Sequence, residues 1–145
     1  MTTSAVSLRS LGHTSLRVPA LCIGAAALGN MPKSFTYEVA EAQALATIRA
    51  VFSGPIPFLD TAAIYGESER RIGVVVRERG GLPDGFVLAT KADRDPQTND
   101  FSAEIIRRGV ERSLQRLGLE TLQLVYLHDP ENGDFSEITG PGGAV

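Results

Sequence analysis

Three apolar runs in the chain each end on a titratable residue, and this repetition limits the folds open to it. Ile56 to Leu59 runs into Asp60, Phe86 to Thr90 into Lys91, and Leu122 to Leu127 into His128. Lys91 stands 31 positions after Asp60, and His128 stands 37 after Lys91. Those intervals match one strand-helix-strand unit, roughly 30 residues or more. Helical spacing fills the gaps. Val39, Ala42, Leu45, Ala46, Ile48 and Phe52 mark a helix over 38–52, stopped by Gly54 and Pro55. Ser68 reads as the N-cap of a second helix carrying Ile72, Val75 and Val76, with Glu69 in its first turn. Gly80, Gly81 and Pro83 punctuate the chain after it. Ser102 caps a third helix with Ile106, Val110, Ser113, Leu114 and Leu117 on one face, and Gly118 stands at its C-terminal cap.

An earlier run, Leu21 to Ala27, adds a fourth strand, and Cys22 within it reads as a small buried core residue. All four strands are apolar throughout, which predicts a parallel sheet covered on both faces. Leu8 to Leu11 and Ser15 to Val18 flank Gly12-His13-Thr14 as a short hairpin with His13 exposed at its tip. Two α/β architectures accommodate these elements. A small doubly wound sheet needs a phosphate-binding turn after its first strand. The turn here, Gly24-Ala25-Ala26-Ala27-Leu28-Gly29-Asn30, lacks both G-x-G-x-x-G and the Lys-Ser/Thr of a P-loop. Half of an eight-stranded (β/α) TIM barrel instead predicts polar residues at the C-terminal ends of several strands, all on one face. Asp60, Lys91 and His128 fit that pattern.

Residues 1–145 therefore read as one partial domain, the N-terminal half of a barrel, with a hairpin, about four parallel strands and three helices. Gly140 to Val145 reads as the run-in to another helix, so the chain is taken as truncated. The first and fourth strands would then present open edges, which predicts self-association.

Composition removes several function classes. The net charge of -3 and the Glu interleaved with Arg70, Arg71, Arg107 and Arg108 predict solvated helix faces and no nucleic-acid partner. Met1 to Leu11 has no charged-then-apolar leader pattern, and Ala20 to Leu28 is too short to span a bilayer, which predicts a cytoplasmic protein without a membrane partner. The single cysteine excludes an intrachain disulfide. His128 and Asp129 have no further metal ligands at suitable spacing, so no metal is expected.

Charge at the ends of apolar strands needs a reason, because an unpaired buried ion is expensive. Neighbouring parallel strands would let Asp60 and Lys91 pair. A pair of that kind adds little stability by itself, since desolvation offsets the attraction. Tyr65 supplies a use for it, in the loop that follows Asp60 across the same face. A fixed ammonium about 4 Å from a phenolate stabilises it by roughly 4 kcal/mol at an effective dielectric of 20. A phenol so placed can exchange a proton with an alcohol or carbonyl near neutrality. Asp60 would hold Lys91 in place, and His128 would orient the substrate oxygen. Each residue alone has an ordinary structural explanation, but four titratable groups at successive strand ends need four separate ones.

At these residues the chain resembles the aldo-keto reductases. Leu59 to Glu69, with Asp60-Thr61-Ala62 and Tyr65-Gly66, is similar to the family's D-T-A-x-x-Y-G…S-E motif. Ala89-Thr90-Lys91 is similar to its third-strand lysine segment, and Leu124 to Pro130 to its fourth-strand histidine segment. The resemblance covers nearly the whole chain. It implies an eight-stranded barrel and hydride transfer to or from NADP or NAD. Tyr65 becomes the general acid/base, Lys91 and Asp60 tune it, and His128 positions the carbonyl. Asp60 and the turn around Gly24 would face the nicotinamide. The wording around His128 is similar to the branch that oxidises aldoses at C1, the D-threo-aldose (L-fucose) dehydrogenases. The expected substrate is an aldehyde, ketone or aldose, interconverted with its alcohol or lactone.

The family places most cofactor contacts in the second half of its barrel, so this chain alone is expected not to turn over. The alternatives are a non-catalytic interaction subunit on a reductase-like scaffold, and a complete flavodoxin-like domain that binds a phosphate-bearing ligand.

Overall fold

The computed structural model describes residues 6–145, so the first five positions of the Met1–Leu11 stretch lie outside the described residues. Strands β1 (Leu8–Ser10) and β2 (Arg17–Pro19) form the antiparallel hairpin, with Arg9 opposite Val18. The Leu11 carbonyl accepts hydrogen bonds from the Thr14 amide and hydroxyl, closing a turn in which His13 is exposed. Strands β3 (Ile23–Gly24), β4 (Phe58–Asp60), β5 (Val87–Ala92) and β6 (Leu124–Leu127) form one sheet in that order, and every pair is parallel. Helices α1 (Pro32–Phe35), α2 (Glu41–Phe52), α3 (Ser68–Arg79), α4 (Ala103–Leu117) and α5 (Phe135–Thr139) make up the rest.

Strand alternation divides the apolar runs between two faces. Leu59 and Leu88 join Ile48, Phe52, Ile72, Val75, Val76 and Leu117 in the core between sheet and helices. Phe58, Val87 and Ala89 face the other way and pack with Val18, so the hairpin closes one end of the second face. The rest of that face is open among the described residues, with Leu21 62% and Tyr126 40% exposed. The expectation of two covered faces therefore holds for one face and for one end of the other.

Several local expectations change. β3 is only two residues long, because the Ala25 amide bonds the Asp60 carbonyl and the chain then winds into a 3-10 turn at Ala26–Gly29. Cys22 is exposed rather than buried, since it lies at the start of this edge strand on the open face. Ser68 does not cap α3. Glu67 holds the cap position, while the Ser68 hydroxyl donates to the Ala25 carbonyl and bonds the Thr61 hydroxyl, tying the helix start to β3 and β4. Arg71 is buried, not solvated, and donates to the Leu28 carbonyl at 2.7 Å. Arg70, Arg107 and Arg108 pair with glutamates at the surface. Gly140 to Val145 has no helical turns of its own. It follows α5 and folds back on it, with the Val145 amide on the Ile138 carbonyl and the Ala103 amide on the Gly142 carbonyl. Among the described residues, no helix is long and apolar enough to cross a membrane.

Helices α3 and α4 touch through backbone. A Cβ at Gly73 would stand 1.9 Å from the Arg116 carbonyl oxygen, whereas one at Gly109, also buried in a helix, would meet nothing within 4 Å. The two glycines should therefore respond to alanine with opposite signs. Gly73→Ala is expected to destabilise by about 1–3 kcal/mol through overpacking, and Gly109→Ala to stabilise by about 0.5–1 kcal/mol through reduced chain entropy. Urea denaturation with comparable m values checks both signs.

Candidate active site

The parallel register, with β4 ending three residues before β5, places the titratable residues of the strand ends. Asp60 lies opposite Ala89 on β5, and Lys91, two residues further along β5, projects from the same face. The Lys91 Nζ donates to Asp60 Oδ2 at 2.5 Å and to the Thr61 carbonyl at 2.9 Å. The two side chains keep only 14% and 26% of their exposure. Burial opposes the charge on Lys91 more than any other single influence. Hydrogen bonds to Asp60 and Tyr65, reinforced by their charges, together outweigh it and hold the ammonium above the ordinary lysine range.

Tyr65 reaches this pair from the loop after β4. Lys91 Nζ stands 4.7 Å from the centroid of its ring. The loop is held by backbone. The Tyr65 amide bonds the Ala62 carbonyl, the Ser68 amide bonds the Tyr65 carbonyl, and the Glu67 amide bonds the Gly29 carbonyl. Gly29 and Gly66 let two chain segments meet there. A Cβ on Gly29 would fall 1.9 Å from the Tyr65 carbonyl oxygen, and Gly66 adopts a left-handed φ of 51°.

His128 follows β6 directly, and its amide extends the ladder onto the Ala92 carbonyl at 3.0 Å. Its ring meets that of Tyr65 edge-on, 85° between planes and 5.7 Å between centroids. Gly24 lies opposite Asp60 in register. With Cys22, Phe58, Asp60 and Tyr126 it lines a cavity of about 320 Å³ on the open face of the sheet. A Cβ at Gly24 would meet nothing within 4 Å, so protein packing does not require glycine there. The structure thus brings Asp60, Tyr65, Lys91 and His128 to one end of the sheet, with Gly24 beside Asp60.

Two other titratable groups line the same cavity. Partial desolvation, then the Asp60 charge, push the Cys22 thiol up to about 11 against the pull of Lys91. Desolvation and then the charges of Asp60 and Cys22 also raise the Tyr126 phenol above its ordinary value.

Three residues outside the sequence-derived set support the site. Asp93 Oδ1 lies 2.5 Å from His128 Nδ1, and its side chain is 8% exposed. Its position two residues past Lys91 is the sequence signal that places it on the same face. Glu69 is fully buried and accepts from the Thr90 hydroxyl at 2.7 Å, and Arg116 stands 3.6 Å from its other oxygen. Arg116 also donates to the Ala63 carbonyl, bracing the Tyr65 loop from behind. Nothing in the sequence distinguishes Glu69 from an exposed first-turn acid, or Arg116 from a surface arginine. Among the described residues, no cluster of three or more His, Cys, Asp or Glu side chains could hold a metal ion.

Comparison with known proteins settles the ancestry of this arrangement. The family model described as "Aldo/keto reductase family" matches residues 20–136. The chain belongs to the aldo/keto reductase family. It is 37% identical over 135 residues to an L-galactose dehydrogenase of Arabidopsis thaliana, covering 92% of this chain and 41% of that protein. It is 32% identical over 146 residues to a D-threo-aldose 1-dehydrogenase of a Pseudomonas species, covering 83% of this chain and 43% of that protein. A crystal structure of an aldo-keto reductase from Pseudomonas aeruginosa superposes with a TM-score of 0.71 at 32% identity, covering 91% of this chain and 52% of that one. The chain thus spans about half the length of these relatives, and its four strand-helix units correspond to half of an aldo/keto reductase barrel.

The raised pKa of Lys91 sets the sign of a pH effect. Its pairing stabilises the fold fully below the ordinary lysine range and is lost as pH rises through the higher folded value. Lys91→Met leaves Asp60 partly buried without its cation and is expected to destabilise by about 1–3 kcal/mol at pH 7. The gap to the wild type should narrow as pH climbs above that range. Urea denaturation across a pH series checks this, and a gap that does not change with pH would count against the pairing.

Proposed function

We propose that this chain carries the proton-transfer half of a nicotinamide-dependent oxidoreductase. Its substrates are an aldehyde or ketone and the matching alcohol, or an aldose and its lactone. The observation that carries this reading is the Tyr65 ring set 4.7 Å from a lysine ammonium that Asp60 holds at 2.5 Å, with His128 edge-on to the same ring. In the oxidative direction, the Tyr65 oxygen receives the hydroxyl proton of the substrate while the hydride leaves the carbon that bore that hydroxyl. In reduction the Tyr65 hydroxyl returns the proton to the carbonyl oxygen. Lys91 stabilises the phenolate left on Tyr65, Asp60 keeps Lys91 charged and in place, and His128 bonds the substrate oxygen. Catalytic roles accordingly go to Asp60, Tyr65, Lys91 and His128.

The residues present fit a nicotinamide. The cavity beside Asp60 has an open floor at Gly24 and flat or apolar walls at Phe58 and Tyr126. NADP or NAD, when bound, supplies the hydride acceptor or donor. Asp60 and Gly24 would border its nicotinamide ring. Similarity to the two sugar dehydrogenases favours oxidation of an aldose at C1.

The 145-residue chain by itself is expected to bind the cofactor weakly and not to turn over. Its edge strands β3 and β6 are expected to drive self-association, which light scattering after size-exclusion chromatography would detect. In a chain of the relatives' full length, a panel of aldoses and aldehydes with NADP and with NAD, followed by nicotinamide absorbance, tests the activity. Tyr65→Phe should then lower kcat by about 10²- to 10⁴-fold while leaving cofactor affinity nearly unchanged. Turnover that persists in Tyr65→Phe would remove Tyr65 from the acid/base role. Absence of nicotinamide binding at full length would favour a non-catalytic interaction subunit on the same scaffold.

A further inference from the structure

Two adjacent polar side chains, His128 and Asp129, follow β6, and the proposed chemistry uses only the first. Asp93 occupies the Nδ1 side of the imidazole, so the Nε2 edge is the one left to meet a substrate oxygen. Asp129 stands beside that edge. Its Oδ1 lies 3.6 Å from Nε2, and its Oδ2 faces Arg94 Nη1 at 4.0 Å. Both separations exceed hydrogen-bond length, so neither neighbour satisfies the carboxylate. The Asp129 side chain is 46% exposed, against 12% for His128.

The backbone keeps the carboxylate in this place. Asp129 adopts a left-handed φ of 46° and ψ of 49°, a conformation that aspartate, asparagine and glycine tolerate. Its carbonyl accepts hydrogen bonds from the Asn132 amide at 3.1 Å and from the Asn132 side chain at 3.2 Å, closing the 3-10 turn at Pro130–Asn132. Arg94, set 5.9 Å over the Phe101 ring, presents its positive charge to the oxygen that does not face His128.

An ionised carboxylate only accepts hydrogen bonds, so a ligand beside Nε2 must bring a donor to use Oδ1. In a 2-hydroxy aldehyde or a cyclic aldose, the reacting oxygen and the hydroxyl on the next carbon stand about one hydrogen-bond length apart. The 3.6 Å between Nε2 and Oδ1 therefore lets the first oxygen bond the imidazole while the second donates to the carboxylate.

We propose that Asp129 is a specificity-determining residue that binds the C2 hydroxyl of an aldose or other 2-hydroxy aldehyde. The assignment rests on the reductase reading for the reaction at C1 and adds the neighbouring hydroxyl as the group selected. Simple aldehydes and ketones, and sugars deoxygenated at C2, leave Oδ1 without a donor.

Discrimination between substrates tests this where loss of activity alone would not. In a chain of the relatives' full length, kcat/KM for oxidation is compared between an aldose and its 2-deoxy analogue, with NAD and with NADP. Glycine and asparagine both suit the left-handed backbone, so Asp129→Gly and Asp129→Asn remove the charge without straining the turn. The wild type should favour the aldose, and Asp129→Gly should shrink that preference by about tenfold or more. Asp129→Asn, which keeps an uncharged acceptor, should fall between the two. An unchanged preference, or equal losses on both sugars, would overturn the proposal. Failure to oxidise any aldose or aldehyde would count against the reductase reading instead, and a binding measurement then decides Asp129 separately. With Tyr65→Phe to block turnover and cofactor present, the His128 ring signals in NMR, assigned by their loss in His128→Gln, should shift with the aldose and much less with its 2-deoxy analogue. Asp129→Gly should abolish that difference. A difference that persists in the variant, or that the unsubstituted Asp129 never shows, would remove Asp129 from substrate recognition.

Discussion

The parallel register of β4, β5 and β6 is the constraint on which the rest of this molecule depends. β5 and β6 end together, Ala92 opposite Leu127, while β4 ends at Asp60 opposite Ala89, so that Lys91, two residues beyond Ala89 and opposite Tyr126, reaches over the end of β4. Because side chains alternate, a shift of one residue in either ladder would send Asp60 or Lys91 into the helix-covered core, where neither would find a partner. The register is set by burial on both sides. Leu59 and Leu88 belong among the helices, and Phe58, Val87 and Ala89 belong with the hairpin residue Val18. Packing of ordinary apolar residues thereby determines where the titratable ones appear.

Behind the site, buried polar groups connect its loops to its helices. Glu69 takes the Thr90 hydroxyl beside Lys91 and stands near Arg116, which in turn supports the Ala63 carbonyl of the Tyr65 loop. Ser68 bonds the Thr61 hydroxyl and donates to the Ala25 carbonyl beneath the same loop. The close passage of Gly29 against the Tyr65 backbone completes the support. Tyr65 therefore stands on a loop, but on one fixed by three separate elements, which keeps its ring at a set distance from Lys91.

Two tyrosines approach Lys91 from different directions. Tyr126 sits across from Lys91 in register, but partial desolvation and the nearby Asp60 charge push its phenol upward. Tyr65 approaches the ammonium with its ring at 4.7 Å and pairs edge-on with His128.

The primary sequence by itself determined the unit repeat, the parallel sheet, the half-barrel and the three polar strand-end residues, because strand length, helical spacing and breakers are local properties. It also determined that Asp60, Lys91 and His128 share an end, since parallel strands of equal polarity leave no other choice. Only the tertiary structure decided which face each apolar residue serves, and that the face bearing Cys22 and Tyr126 stays open. It alone showed that Ser68 fastens two strands instead of capping a helix, that Glu69 and Arg71 are buried, and that Asp93 lies on His128. Those outcomes depend on contacts between residues far apart in the chain: 35 positions between Asp93 and His128, and 43 between Ser68 and Ala25. No local pattern encodes such distances, because burial and hydrogen bonding are fixed only when the strands and helices have closed on one another.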